Sequence, residues 1–268
     1  MKHTSRESTV SREPDTIGRS FLEQLIIDYG PLDFLGRFFA AATDHLSELG
    51  LELRIGRLED AYHVHQANLE SWKSYPPMLN PTIALVRETD CFSLICVNQA
   101  GTPVAVIAGR LYSPEATLAD VISNQRFVFG DADPATSSIR FNSTTEKIAS
   151  VKAPFSYIGA LWVHPQMRGA KLARILPPIA RSYCLAIWNI RFDLGLASLE
   201  MTRAGIAAVY GYTEVAESFC ATGLDDDHDV EGCFMWMDRS ALLEHAALTL
   251  TTHFSKVDRS VINRAADQ

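Results

Sequence analysis

The sequence has no long apolar run. Nothing in its 268 residues approaches the ~18 consecutive apolar residues of a membrane-spanning helix, so no such helix is expected. Residues 1–19 are polar and carry no apolar signal core, which leads to a cytoplasmic expectation. Positive charge is also short. The 24 Lys and Arg stand against 32 Asp and Glu, a formal net charge of −8, and this balance argues against broad nucleic-acid binding. The five cysteines are odd in number and irregular in spacing, so neither a disulfide framework nor a zinc site is expected and the thiols read as reduced. Metal motifs are missing too. His63 and His65 diverge on a helix at a spacing of two. Asp225, Asp226, Asp227 and Asp229 lack the glycine and closing glutamate of a calcium loop. Ser198 and Cys184 have no neighbouring histidine to activate them. There is no internal repeat.

What is present is a chain with 47% hydrophobic residues, enough to bury a substantial core. Residues 1–19 read as disordered. Residues 20–50 read as an N-terminal helical extension: Ser20 and Glu23 form a capping-box pattern, Leu22, Leu25, Ile26 and Tyr29 fall on one helical face, and Gly30-Pro31 separates that helix from a second bearing Leu35, Phe38, Phe39, Ala42 and Leu46. A packed cover or a homodimer surface is its expected role. Alternation at Leu51, Leu53 and Ile55 predicts a strand, and Leu58, Ala61, Tyr62, His65 and Leu69 a helix. Residues 91–97 and 104–111 read as a β-hairpin. Residues 113–153 form a weakly patterned insertion, in which Phe127-Val128-Phe129 is either a strand or a helix end. Further strands are expected at 192–197, 212–219 and 233–237, helices at 201–210 and 242–250, and a solvated loop at 224–229. The core domain thus runs from 51 to 238, with a C-terminal helix and tail over 239–268.

At the centre, Tyr157 to Val163 is an apolar strand. His164-Pro165-Gln166-Met167-Arg168-Gly169 is a turn, and Ala170 onward begins a helix. Unpaired backbone N–H groups and the helix dipole make such a start a natural anion site. Pro177-Pro178 interrupts the helix while Leu172, Ile175, Leu176, Ile179 and Tyr183 keep one apolar face, so a kink or two abutting helices is expected.

The element order, together with Val163-His164-Pro165-Gln166-Met167-Arg168-Gly169, resembles the GNAT family of acyl-CoA-dependent N-acyltransferases over roughly 51–238. Gln166 and Gly169 match the family's Arg/Gln-x-x-Gly-x-Gly/Ala signature; Lys171 stands where Gly or Ala is usual. Tyr210-Gly211-Tyr212 is similar to the aromatic-after-glycine that opens the family's next strand. The resemblance implies an α/β (α+β) fold with a mixed, mostly antiparallel central sheet flanked by helices. It implies acetyl-CoA or another acyl-CoA as co-substrate, with no metal. The pyrophosphate would lie on the backbone of Gln166, Met167, Arg168, Gly169, Ala170, Lys171 and Leu172, and the thioester arm along Leu161, Trp162 and Val163, where the two central strands splay. The Val163 N–H is the expected oxyanion donor.

The acceptor half is less legible. Where the family often carries a tyrosine acid, this chain has Ala207, and Tyr210 is the candidate replacement. The strand 155–163 contains no carboxylate, which leaves Glu200, or Glu146 in the insertion, as candidate base. The resemblance therefore implies transfer of an acyl group, acetyl by expectation, to an amine of a small molecule or protein. A GNAT-like acyl-CoA sensor without turnover is the alternative, motivated by Lys171 and Ala207. A structural or interaction protein led by the N-terminal helices is the third.

Overall fold

The computed structural model describes residues 19–112, 117–143, 146–223 and 229–254. The expectations for residues 1–18, for 255–268 and for the aspartates at 225–227 lie outside them. Among the described residues, nine strands form one sheet in the order β1-β2-β3-β4-β6-β7-β9-β8-β5. They are β1 (Arg19–Ser20), β2 (Leu51–Gly56), β3 (Cys91–Asn98), β4 (Pro103–Tyr112), β5 (Arg140–Ser143), β6 (Phe155–Val163), β7 (Phe192–Ser198), β8 (Glu214–Thr222) and β9 (Val230–Asp238). Every neighbouring pair is antiparallel except β6 and β7. The fold is therefore mixed α/β with a mostly antiparallel sheet, as the family resemblance implied.

Alternation along the strands builds two cores. Leu94 and Cys96 point into the first, Ile95 and Val97 into the second. The first is covered by α2 (Leu32–Glu48), α6 (Leu172–Trp188) and α9 (Arg239–Thr249); the second by α3 (Leu58–Gln66), α4 (Leu118–Ser123) and α5 (Arg126–Phe129). The insertion is thus a structured part of the second core. Phe127 and Phe141 pack with Phe234, and β5 extends the sheet edge on β8. Phe127-Val128-Phe129 is helical and fully packed.

The N-terminal extension departs from expectation. Its second expected helix is present as α2, but the first shortens to α1 (Phe21–Gln24), and Ser20 makes no side-chain cap. Leu22, Ile26 and Tyr29 are exposed, while Phe21 is fully buried against Phe39 and Tyr183. Burying that one ring outweighs the amphipathic pattern that follows it. The chain then runs extended, with the Asp28 and Tyr29 N–H groups both donating to the Ala186 carbonyl at the end of α6 (3.0 Å each).

Helix α6 also departs from the two-helix alternative: it is continuous through Pro177 and Pro178. The prolines remove two backbone donors, but the buried face formed by Leu172, Ile175, Leu176, Ile179 and Tyr183 holds the helix together, since tertiary packing supplies most helical stability in proteins. The helix expected at 201–210 is two short ones, α7 (Leu199–Arg203) and α8 (Ile206–Val209), broken where Gly205 takes φ +84°. No helix among the described residues is long and apolar enough to cross a membrane.

Candidate active-site cleft

Strands β6 and β7 pair only from Phe155↔Phe192 to Tyr157↔Leu194. Beyond that point both continue without pairing, to Val163 and Ser198, so the sheet opens at its one parallel pair. On the β4 side, β6 carries an extra residue: Ala108 pairs with Gly159, but Val106 pairs with Trp162. This bulge centres on Ala160, whose φ is +53°. It reverses the side-chain alternation, so that Ala160 and Trp162 face the second core and Leu161 and Val163 the first. The His164 N–H donates to the Val104 carbonyl at 2.8 Å, and Val163 is in register with Ala105. Adjacent residues of an antiparallel ladder alternate in direction, so the Val163 N–H and C=O face the gap.

A cavity of about 210 Å³ fills this opening, with Tyr157, Leu161, Pro177, Arg181, Tyr210 and Tyr212 among its lining. Glycine makes room for two phenols: a Cβ at Gly159 would lie 2.5 Å from the Tyr157 hydroxyl, and one at Gly195 2.5 Å from that of Tyr212. Behind them is a buried polar knot. Arg181 Nε donates to Asp193 Oδ2 at 2.8 Å, the Ser156 hydroxyl donates to Oδ1 at 2.6 Å, and the Tyr212 hydroxyl to Oδ2 at 3.2 Å. The guanidinium also lies over the Tyr212 ring at 4.4 Å and donates to the Tyr210 carbonyl. Burial raises the Asp193 carboxyl above its ordinary range, and Arg181 and Ser156 oppose the rise. With three donors converging on it, we take the carboxylate as the charged partner of the guanidinium. Burial raises the Tyr210 phenol, and Arg181 draws it back. His245, beside Arg181, is pushed down to about 4, first by burial and then by that cation.

The residues singled out from the sequence separate as follows. Leu161 and Tyr210 line the cavity. Trp162 turns to the other face, where it stacks on Trp72 (centroids 5.5 Å, interplanar 7°) and donates to the Ser71 hydroxyl. The turn Pro165–Ala170 is 3-10 helical, and Lys171 adopts a left-handed φ of +58° before α6 starts at Leu172. Within the turn the Met167 N–H donates to the His164 carbonyl at 2.8 Å, and the Gln166 N–H donates to the His164 ring at 3.3 Å. The tight turn consumes its own first donors, and in the first turn of α6 the Arg174 N–H donates back to the Lys171 carbonyl at 2.8 Å, so the N–H groups of Leu172 and Ala173 open the helix. Arg168, Gly169 and Lys171 are exposed, Met167 and Ala170 partly buried. Nothing lies within 4 Å of a Cβ built at Gly169. Glu200 is exposed in the first turn of α7 and does not line the cavity, although Met201 does; Glu146 is exposed in the insertion.

Sequence reasoning missed Tyr157, Arg181, Asp193 and Tyr212. The available signal was polarity in apolar company: an arginine on a helix otherwise buried all round, and an aspartate inside Phe192-Asp193-Leu194-Gly195-Leu196.

No family model matches the chain, and no curated protein matches it. Among solved structures, it is similar to a mutant of the spermidine N-acetyltransferase of Vibrio cholerae, at 14% identity and TM-score 0.42, covering 72% of this chain and 96% of that one. It is similar to a dodecameric structure of the same Vibrio cholerae enzyme at 12% and 0.42, covering 71% and 95%. A GNAT-family acetyltransferase from Streptococcus pneumoniae matches at 11% and 0.38, covering 70% and 99%. Likeness at this level carries no weight on activity or acceptor. The chain's own topology is more specific: among the described residues, a mostly antiparallel sheet opened at its one parallel pair, a bulged strand facing the gap, and a tight turn leading from that strand into a long helix, the arrangement through which the chain resembles the GNAT family.

Proposed function

We propose that the protein is an acyl-CoA-dependent N-acyltransferase whose thioester site is the gap between β6 and β7. The observation that carries this reading is the coincidence of three features at one point: the splay beyond Tyr157 and Leu194, the bulge at Ala160, and the cavity that occupies the opening. The groups at hand suit an acyl-CoA. The gap-facing N–H and C=O of Val163 fit the amides of a pantetheine arm. Exposed Arg168, Lys171 and Arg174 surround the start of α6 and fit a pyrophosphate, and the open space at Gly169 allows close approach.

The thioester supplies an activated carbonyl; the chain's own groups orient it and manage protons. In our reading the Val163 N–H stabilises negative charge on the carbonyl oxygen. Tyr210, which lines the cavity, donates the proton that the departing thiolate needs. No carboxylate among the described residues lines the cavity, so the acceptor amine gives its proton to water, with Glu200, next in sequence to the lining Met201, as the receiving carboxylate. An acetyl donor and an amine acceptor on a small molecule or protein remain our assignment, and a homodimer our expectation of assembly.

Calorimetry with acetyl-CoA and a thiol-release assay over a broad amine panel test the reading. Micromolar binding with turnover is expected, and Tyr210→Phe should lower kcat at least tenfold with little change in acetyl-CoA affinity. Absence of both binding and turnover sinks the proposal. A second reading, an acyl-CoA sensor without turnover, is favoured by the carboxylate-free lining and by Ala207; tight binding with no thiol release would select it.

A further inference from the structure

The cleft has a closed end, where β6 and β7 still pair, and what lies there follows from the direction in which a donor enters. This step rests on the acyltransferase reading and concerns the acyl group that the site takes. Two elements run side by side down the opening. On β6 the lining passes from Leu161 to Tyr157, the last residue in register with β7. On α6 it passes from Pro177 to Arg181, five and nine residues beyond Leu172, hence about 7 and 13 Å from the helix start. A donor with its pyrophosphate at the start of α6 and its thioester at Val163 therefore points its acyl group at Tyr157 and Arg181.

This floor holds one open polar group. Tyr157 is 3% exposed. Three phenols near it are disposed of otherwise: Tyr112 donates to the Phe127 carbonyl at 2.8 Å, Tyr212 donates to Asp193, and the Tyr75 hydroxyl is sealed in protein without a partner. Of the four, the Tyr157 hydroxyl is neither bonded among the described residues nor sealed; it opens on the cavity. Burial raises its phenol above the ordinary range, so it stays a protonated donor. It lies at the level of Gly159, 2.5 Å from the place of a Cβ there. Gly159 pairs with Ala108 and Val163 with Ala105, so three ladder steps, about 10 Å, separate the hydroxyl from the Val163 N–H along the strand. An acetyl group is too short to span this. Four acyl carbons with a terminal oxygen extend about 5 Å, and a hydrogen bond of about 2.9 Å at each end closes the distance.

We propose that the closed end of the cleft is an acyl-chain pocket for a four-carbon group ending in a neutral oxygen, with the Tyr157 hydroxyl as its specificity determinant and acetyl as its smallest occupant. Ile107, Ile158, Leu196 and Met235 supply apolar walls for the methylenes. A hydroxyl or carbonyl oxygen accepts from Tyr157. A carboxylate terminus does not fit, because Arg181, the cation at the floor, is already paired with Asp193, and a second buried anion would be desolvated without a free counter-charge.

The test is calorimetry of the full chain with acetyl-CoA, butyryl-CoA, 4-hydroxybutyryl-CoA and succinyl-CoA. The 4-hydroxybutyryl donor should bind at least tenfold tighter than acetyl-CoA and at least fivefold tighter than butyryl-CoA, with succinyl-CoA weaker than both four-carbon donors. Tyr157→Phe keeps the ring and removes one oxygen that bonds nothing in the protein, so it should bring the hydroxybutyryl-to-butyryl ratio close to one without lowering Tm. Gly159→Ala, whose Cβ displaces the phenol, should collapse the same ratio by a second route. Acetyl-CoA binding tighter than both four-carbon donors overturns the proposal. So does a Tyr157→Phe variant that keeps the parent's ratio, which would leave a phenol served by water only, or one that loses Tm and weakens all four donors alike, which would make the phenol structural. Succinyl-CoA binding tighter than 4-hydroxybutyryl-CoA overturns the neutral-oxygen assignment. Acetyl-CoA bound with four-carbon donors rejected removes this pocket alone, whereas no binding of any of the four removes the acyltransferase reading and the pocket with it.

Discussion

Arg110 and Arg181 are both buried at a cavity wall, and they are satisfied in opposite ways. Arg181 meets a carboxylate, which is itself held by a serine and a tyrosine. Arg110 meets four backbone carbonyls, three of them from α5, and the face of the Tyr112 ring at 4.7 Å, and it clamps the insertion onto β4 and the turn at Met78. The same residue type therefore serves as half of a closed charge network behind the opening between β6 and β7 and, on β4, as a cation that makes no ion pair among the described residues. A closed network rigidifies a wall at the cost of responsiveness.

The largest expected effect tests the closed side of that contrast. Asp193→Ala strands the Arg181 guanidinium without a counterion in a fully buried position, and breaking such a pair costs about 3–5 kcal/mol. Arg110→Met removes charge together with donors and leaves carbonyls that a short helix end can partly re-pair, so about 1–3 kcal/mol is expected. Urea unfolding of the two variants beside the parent measures both. If Arg110→Met costs as much as Asp193→Ala, the two arginines are equivalent structural clamps and the contrast fails.

The contrast also marks what a linear reading reaches. Strands β2, β3, β4 and β6 and the buried face of α6 were legible because period-2 and period-3.6 patterns survive in them. The turn after Val163 was legible because a Pro-rich turn between strand and helix has few conformations. Arg181 and Asp193 were not, because their pairing joins a helix to a strand across the core, and each alone reads as a polar interruption. The tail of the N-terminal helix was misread because Phe21, one residue, decides where the chain must go. The insertion was opaque because its helices of six and four residues are too short to show a period. Their stability comes from Arg110 and from Gln125, whose side chain exchanges two hydrogen bonds with the Phe141 backbone (2.8 and 2.9 Å).

A middle-sized effect sharpens the closed side through pH. His245 lies 3.5 Å from Arg181 Nη1, and burial and that cation push it from 6.5 down to about 4. The folded state thus binds fewer protons than the unfolded state between these values. Stability is intact above pH 6.5 and is lost as pH falls toward 4. Allowing for the solvent-screened side of the ring, the loss is of order 1–2 kcal/mol. His245→Gln should flatten this part of the stability–pH curve. A parent curve level from pH 6.5 to 4.5 would remove Arg181 as the source of the depression and weaken the picture of a closed charge network.

The smallest effect concerns the loop where the resemblance and the residue disagree. Lys171 holds φ +58° and ψ 19°, a left-handed conformation that costs a side-chain-bearing residue roughly 1 kcal/mol and glycine almost nothing. The local backbone therefore favours glycine at this position, and the lysine is held there against its preference. Lys171→Gly should raise stability by at most about 1 kcal/mol, reduced by glycine's greater freedom in the unfolded chain. Because the ammonium is exposed and adds charge at the start of α6, the same change should weaken acetyl-CoA binding and flatten its salt dependence. Stability up and affinity down would show strain retained for anion binding, the counterpart of the cost borne at Arg110. Stability up with affinity unchanged would reduce Lys171 to a strained solvated residue and shift the anion contacts to Arg168 and Arg174.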